Sequence, residues 1–369
     1  VKEIGYPMRQ WFFEDSAGRF DIDLGDSYAR CGTLAELSVP ADMELGYGYD
    51  RGGPGLRAQI GELYGGPAGN VVVAHGAQEA LYLLYNVLLR PGDRVMTFRP
   101  GWQQSWLVPD LLGCAVDVLD LDGDFSIDVD AVRAAAGIGH RLIVLNTPCN
   151  PTGRRIPEQT LAELLELVTR LDAYLVLDEE YETDLSGSLA ARSDRAISVS
   201  GLSKVYGYAG LRLGWMYGPP ELMAACAERK HLTTIANSVL SEELASDILA
   251  RRSGYVRRYQ DLISGGRGLL GDWVDGHGAR LGLVEPEGTP FAWVHLLTGE
   301  TSLDFCRRVL ETGVLLVPGE TLGGSGGFRL SFARPPAVLA EGLARIDTVL
   351  HGGTGARIPR QAAKTTTGV

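Results

Sequence analysis

Lysine is scarce in this chain: of its 34 basic residues only Lys2, Lys204, Lys230 and Lys364 are lysines, and the other 30 are arginines. Two of the four stand in the terminal segments, which leaves Lys204 and Lys230 as the lysines worth weighing for chemistry. Positive charge is short as well, 34 basic against 46 acidic side chains giving a net −12, and this argues against the basic face that a nucleic-acid binder needs. The five cysteines, Cys31, Cys114, Cys149, Cys226 and Cys306, are scattered and odd in number, with no C-x-x-C pair for a metal or a redox site. They read as reduced, buried thiols. No apolar run approaches the roughly 20 residues that span a bilayer, and no charged-then-apolar leader opens the chain. The expectation is a cytoplasmic protein with no membrane or nucleic-acid partner and no metal. What is present, 45% hydrophobic and 22% charged residues over 369 positions, is enough for a large core divided into two or three domains.

From about residue 70, short β-branched runs alternate with amphipathic segments, the pattern of an α/β fold with a mostly parallel sheet covered by helices. The periodicity predicts strands near 70–74, 93–98, 115–120, 142–146, 173–178, 196–200 and 212–217. Helices are predicted near 77–90, 103–113, 128–136 and 157–170, and a helical stretch over 219–272. Strand-like runs at Leu281–Leu296, Val314–Val317 and Phe328–Phe332 then mark a smaller α+β unit. The division expected is an N-terminal arm over 1–45 joining the small domain, a large domain over 46–265, a small domain over 266–350 and a flexible tail over 351–369.

Ligands of open parallel sheets bind at the carboxyl ends of the strands. Directly after predicted strands come His75-Gly76-Ala77-Gln78, the segment Asn146–Gly153, Asp178-Glu179-Glu180-Tyr181, and Ser200-Gly201-Leu202-Ser203-Lys204. Lys204, in a loop of small residues, is read as an amine held among neutral groups, its pKa lowered enough to attack an aldehyde; taken alone it would be a surface lysine, and the other clusters overturn that reading. Asp178 ends a run buried on both faces and needs a cationic partner, such as a protonated pyridine nitrogen, or else it caps a turn. Prolines on either side of Asn150 stiffen its loop, so that its amide and the Tyr181 hydroxyl can both reach one phenolic oxygen. His75 lacks a spaced partner for a metal or a triad, Cys149 is read as structural, and the glycine-rich Gly323–Gly327 as a turn.

Together, N-x-P-x-N-P-T-G at Asn146–Gly153, D-E-x-Y at Asp178–Tyr181 and S-K-x7-R at Ser203–Arg212 resemble the class I/II aminotransferases of the fold type I pyridoxal-phosphate enzymes. The resemblance extends over Tyr47–Arg57, Gly76–Ala80, Pro318-Gly319 and Phe328–Phe332. It implies pyridoxal 5'-phosphate as cofactor, with Lys204 as its Schiff-base lysine and proton carrier and Asp178 and Tyr181 beside it. The phosphate would lie on Gly76, Ala77, Gln78, Ser203 and Arg212, with Trp102 stacked on the ring and Asn150 against its oxygen. Tyr47 matches a tyrosine that serves the neighbouring subunit, which implies a homodimer. Arg329, with Asn150 and Gly25, would bind the substrate carboxylate.

Departures from the pattern bear on the pocket. Three residues before the lysine the family places Ser or Thr as a phosphate ligand, whereas this chain has Gly201, so that either Ser200 or the Gly201 amide would serve. Leu322 stands where an aromatic is common, and Leu24-Gly25-Asp26-Ser27 carries no usual substrate-side motif. No second arginine stands in a motif position for a distal carboxylate, while Asp23, Asp26, Glu180 and Glu182 are acidic. A polar or basic L-amino acid is therefore expected as amino donor to a keto acid. The N-terminal layout Trp11–Glu14 and Phe20–Asp23 resembles the capreomycidine synthase branch, and this keeps elimination and cyclisation of a hydroxylated arginine as the alternative.

Overall fold

The computed structural model describes residues 5–29 and 32–352. The expected tail over 351–369 lies, from residue 353 onward, outside the described residues, as does Cys31. Strand β1 (Ile22–Asp23) belongs to the N-terminal arm, and seven later strands form the large sheet: β2 (Val71–Ala74), β3 (Arg94–Arg99), β4 (Ala115–Asp120), β5 (His140–Asn146), β6 (Tyr174–Asp178), β7 (Ala196–Gly201) and β8 (Gly214–Tyr217). Their order is β2-β8-β7-β6-β5-β3-β4. Neighbours are parallel except where β8 pairs antiparallel with both β7 and β2.

The central strands are apolar on both faces because helices cover both. In β6, Leu175 and Leu177 pack into the core on one side, while Val176 packs into the core on the other, as the period of two along a strand requires. Helix Gly76–Leu88 buries Ala80, Leu81, Leu83 and Leu84 on one of these faces, and Glu158–Arg170 buries Leu164, Leu167 and Val168 on the other.

The register brings the predicted polar clusters to one edge. Asn146 pairs with Asp178, Gly201 with Gly214, and Gly214 with Ala74. Four strand ends therefore lie side by side, each followed by one of those clusters.

The remaining strands are β9 (Leu281–Leu283), β10 (Phe291–Leu296), β11 (Val314–Leu315), β12 (Val317–Pro318) and β13 (Gly327–Ser331). A small antiparallel sheet has the order β12-β13-β10-β9, and β11 pairs in parallel with β1. Trp11, Ile22 and Leu24 of the arm enter the core beneath this sheet. The helical stretch expected over 219–272 is three helices, Pro220–His231, Val239–Ala250 and Arg252–Gly276. The boundary expected between 265 and 266 falls inside the last of these. That helix buries Tyr255 and Tyr259 with the large sheet and Leu270 and Val274 with the small one, so one rigid element spans both cores.

Candidate active site

A cavity of about 660 Å³ opens at the shared strand edge. Ala77, Gln78, Trp102, Asn150, Asp178, Tyr181, Ser203, Lys204 and Arg212 line it, and so do Ser27 and Glu180. A neighbouring cavity shares Trp102 and Asn146 but is mostly apolar, lined by Phe98, Leu121, Phe125 and Ile127, and holds neither Lys204 nor Asp178. The titratable groups single out the first.

The half-buried Lys204 donates a 2.8 Å hydrogen bond from Nζ to Ser27 Oγ, which also lies against the Tyr181 hydroxyl. The expectation of an amine among neutral groups is overturned here. Burial pulls Lys204 down, but Tyr181, Glu180 and Asp26 together outweigh it and hold the ammonium above its ordinary pKa. Lys204 is therefore stored as a cation and must shed a proton before it can attack an aldehyde.

Asp178 shows the opposite imbalance. Its carboxyl accepts from the Glu180 amide at 3.2 Å and makes no ion pair with any described residue. Burial, then the charge of Glu180, pushes it up to about 8. A carboxyl so placed is stabilised by any cation that comes into contact with it. Glu179, next along, is also pushed up, to about 7, chiefly by burial.

At the other end of the cavity the chain forms an anion cradle. Helix Gly76–Leu88 presents its first amides there. Gly76 has φ +79°, and a Cβ on it would stand 2.4 Å from Arg212 Nη2, so glycine leaves the room that the guanidinium occupies. Arg212 itself sits in the left-handed region, φ +48°, and its exposed side chain reaches Ala209 O from Nη1 at 2.9 Å. Gly214 is equally confined, since a Cβ there would lie 2.6 Å from Ala77 N. Between cradle and carboxyl, the half-buried Trp102 holds its ring by donating from Nε1 to Gln78 Oε1 at 3.0 Å. These features fit a flat aromatic group with a ring nitrogen at one end and an anion at the other.

Arg329, on β13, does not line this cavity but is bound to a residue that does. Its Nη1 donates to Asn150 Oδ1 at 2.7 Å and its Nη2 to Gly25 O at 2.7 Å. It is 2% exposed, with Nε unpartnered and no carboxylate in contact among the described residues. Burial lowers its pKa, and Phe291 faces the guanidinium at 5.2 Å. A cation buried this way is poised for a carboxylate ligand. Gly25 contributes through its carbonyl, held by a turn in which Asp23 Oδ1 accepts from the amides of Gly25 and Asp26 at 2.8 and 2.9 Å.

Tyr47 is not brought to this cavity at all: it stands 90% exposed. Of the four acidic residues expected near the pocket, Asp23 is engaged in that turn, and Glu182 is paired with Arg155 outside it. Glu180 lines the cavity, and Asp26 acts on Lys204 and Arg329 through its charge. Neither candidate for the phosphate ligand near position 201 points a hydroxyl into the site, since the buried Ser200 donates to Glu179 O at 3.3 Å. His75 bonds with Glu79 at 3.1 Å, and Cys149 is a free thiol pushed up by burial. Among the described residues no cluster of His, Cys, Asp and Glu could hold a metal, and no helix is long and apolar enough to cross a membrane. Ser27 was not singled out by the sequence, because its contact with Lys204 spans 177 positions.

The family model for aminotransferase class I and II matches residues 38–346. Capreomycidine synthase from Streptomyces vinaceus is 31% identical over 95% of this chain and 94% of its own length. Among solved structures, a PLP-dependent aminotransferase from Streptococcus suis 89-1591 superposes with a TM-score of 0.89 at 25% identity, covering 95% of this chain and 99% of that one. The PLP-dependent cyclase OrfR superposes with a TM-score of 0.87 at 27% identity, covering 95% and 98%.

Proposed function

Because this chain belongs to the class I and II aminotransferases, pyridoxal-phosphate-dependent enzymes of fold type I, we propose that it transfers the amino group of a polar or basic L-amino acid to a keto acid, as a cytoplasmic homodimer. The observation that carries this reading is the meeting of Lys204, Asp178 and Asn150 around one cavity, with the buried Arg329 bound to Asn150.

Bound pyridoxal 5'-phosphate supplies an aldehyde for the substrate amine and a ring that takes up the electron pair left at the α-carbon. The residues do the rest. Arg329 grips the α-carboxylate while Asn150 and Gly25 hold the guanidinium in place. Lys204 takes the α-proton once its amine is free. Asp178 gives the ring nitrogen a counter-charge, which relieves a carboxyl that burial disfavours in the free protein. Gly76, Ala77, Gln78, Ser203 and Arg212 hold the anionic end.

Two features support a basic or hydroxyl-bearing side chain in the substrate. Asp26 is close enough to act on both Lys204 and Arg329 through its charge, and Arg212, at the anion cradle, is the arginine among the described lining residues. An acidic surround discriminates against a second substrate carboxylate by a few kcal/mol. For the dimer, support comes from exposed apolar side chains, Leu45 and Tyr49 beside Tyr47 in the chain and Leu232 and Ile235 just after His231, which pairs with Asp50. For the compartment it comes from the free thiols of Cys114, Cys149, Cys226 and Cys306.

A second reading shares the first step but expels a β- or γ-substituent, and the alkene is then captured by water, an amine or a guanidine. The likeness to capreomycidine synthase over nearly both full lengths, and to the cyclase OrfR, favours keeping it. Arginine, hydroxyarginine, ornithine, glutamate and phenylalanine, assayed with and without 2-oxoglutarate, separate the two. Amino transfer requires the keto acid. Product formed from hydroxyarginine without any acceptor moves the enzyme to the elimination class, and glutamate or phenylalanine as best donor refutes the substrate argument.

A further inference from the structure

We infer that the carboxyl group of Glu180 is a hydrogen-bond donor to the cofactor phosphate, occupying the place that a side chain at position 201 would otherwise take. The inference rests on the pyridoxal-phosphate reading and adds a ligand to it. Glu180 lines the active-site cavity and is 8% exposed, yet its Oε1 has no hydrogen-bond partner. A buried carboxyl oxygen left in that state is costly unless a ligand satisfies it.

The position of that oxygen identifies the ligand. A Cβ built on Gly201 would meet Glu180 Oε1 at 2.6 Å, Leu213 O at 3.0 Å and Gly214 Cα at 3.1 Å. Gly214 in turn abuts the Ala77 amide of the anion cradle. The Glu180 carboxyl thus stands where a side chain on residue 201 would begin, beside the Gly214 backbone that abuts the helix N-terminus, and with Leu213 O it crowds out a side chain there. Gly201 and Glu180 are a matched pair.

The protonation state decides the sign of the interaction. An ionised carboxylate would repel a phosphate, whereas a neutral carboxyl donates to it. The charged groups acting on Glu180 are Lys204 and Arg212, which lower its pKa, and Asp178, with which it competes for charge; burial outweighs the cations and raises it. The carboxyl is therefore held toward its neutral, donating form.

The test is the affinity of the cofactor-free protein for pyridoxal 5'-phosphate, and for pyridoxal as the probe without a phosphate, followed by quenching of tryptophan fluorescence. Glu180→Gln keeps a donor and is expected to bind pyridoxal 5'-phosphate within about threefold of the wild type, while Glu180→Ala loses about 10- to 100-fold. The loss is absent with pyridoxal. Gly201→Ser alone weakens binding through the clash, and Glu180→Ala/Gly201→Ser recovers at least tenfold over Glu180→Ala. Glu180→Met, closer in volume, replaces the alanine variant if thermal unfolding shows the latter to be misfolded. Equal or tighter pyridoxal 5'-phosphate binding by Glu180→Ala or Glu180→Met, or an equal loss with pyridoxal, overturns the assignment. A wild-type protein that does not bind pyridoxal 5'-phosphate overturns the family reading instead.

Discussion

Lys204 Nζ and Ser27 Oγ lie 2.8 Å apart, a hydrogen bond that ties the loop after β7 to the N-terminal arm 177 positions away. Ser27 also faces Tyr181, so one hydroxyl orients both the amine and the phenol. Replacing it by alanine is expected to leave cofactor affinity within about twofold and to lower kcat about tenfold, the effect of losing one charge-assisted hydrogen bond that aligns a base. Steady-state kinetics beside a cofactor titration check this. A Ser27→Ala enzyme with wild-type kcat would show that the contact is incidental.

Asp178→Asn keeps the shape of the site but removes the counter-charge for a ring nitrogen. Breaking such a buried pair costs roughly 3–5 kcal/mol, hence about a thousandfold in the rate of α-proton removal. Exchange of the substrate α-deuterium measures that step directly, and a wild-type exchange rate in the variant assigns the carboxylate to another task.

The same residue controls a pH effect in the cofactor-free protein. Asp178 and Glu179 are raised to about 8 and about 7 in the folded chain, against ordinary carboxyl values near 4 when unfolded. Their contribution is fully present below pH 4 and is lost as pH rises through 7 and 8, because the unfolded chain releases protons that the folded one retains. Tm should therefore fall from pH 5 to pH 8.5, and Asp178→Asn should shrink that fall. An unchanged slope in the variant would contradict the burial argument.

Arg329→Lys retains the charge but loses the planar fork that reaches Asn150 and Gly25 together. KM for the amino acid should rise about 100-fold, with kcat lowered far less. A variant with unchanged KM would place the substrate carboxylate elsewhere.

If the exposed Tyr47 serves the neighbouring subunit's site, Tyr47→Phe and Lys204→Ala proteins, each impaired alone, should regain partial activity on mixing as hybrid dimers. Full activity from a monomer in sedimentation at low concentration rules this out.

Much of the site was legible in the sequence because a parallel sheet sends every strand end to the same edge. Asp178 ends an apolar strand, Asn150 and Lys204 follow one within a few residues, and Arg212 comes just before one, so local pattern is enough to group them. Ser27 and Glu180 were harder for different reasons. Ser27 arrives from the arm through the β1–β11 pairing, which no local periodicity encodes. Glu180 occupies the variable position of D-E-x-Y, and its meaning emerges only when Gly201 is seen to lack the space for a side chain. The charge state of Lys204 was misread because its acidic neighbours come from separate segments, Asp26 and Glu180. The single helix Arg252–Gly276 crossing the expected domain boundary was hidden for a similar reason, its two halves serving different cores.

The central claim, that Lys204 is the amine that takes up the cofactor aldehyde, has a direct measurement. Cofactor-loaded protein reduced with borohydride, digested and analysed by mass spectrometry should carry the pyridoxyl label on the Lys204 peptide, and Lys204→Ala should lose the label, the near-visible absorbance and several powers of ten in turnover. The competing lysine, Lys230, is buried with Nζ donating to Asp50 O at 3.0 Å and Val73 O at 2.9 Å. A label found on Lys230, or retained in full by Lys204→Ala, would contradict the account.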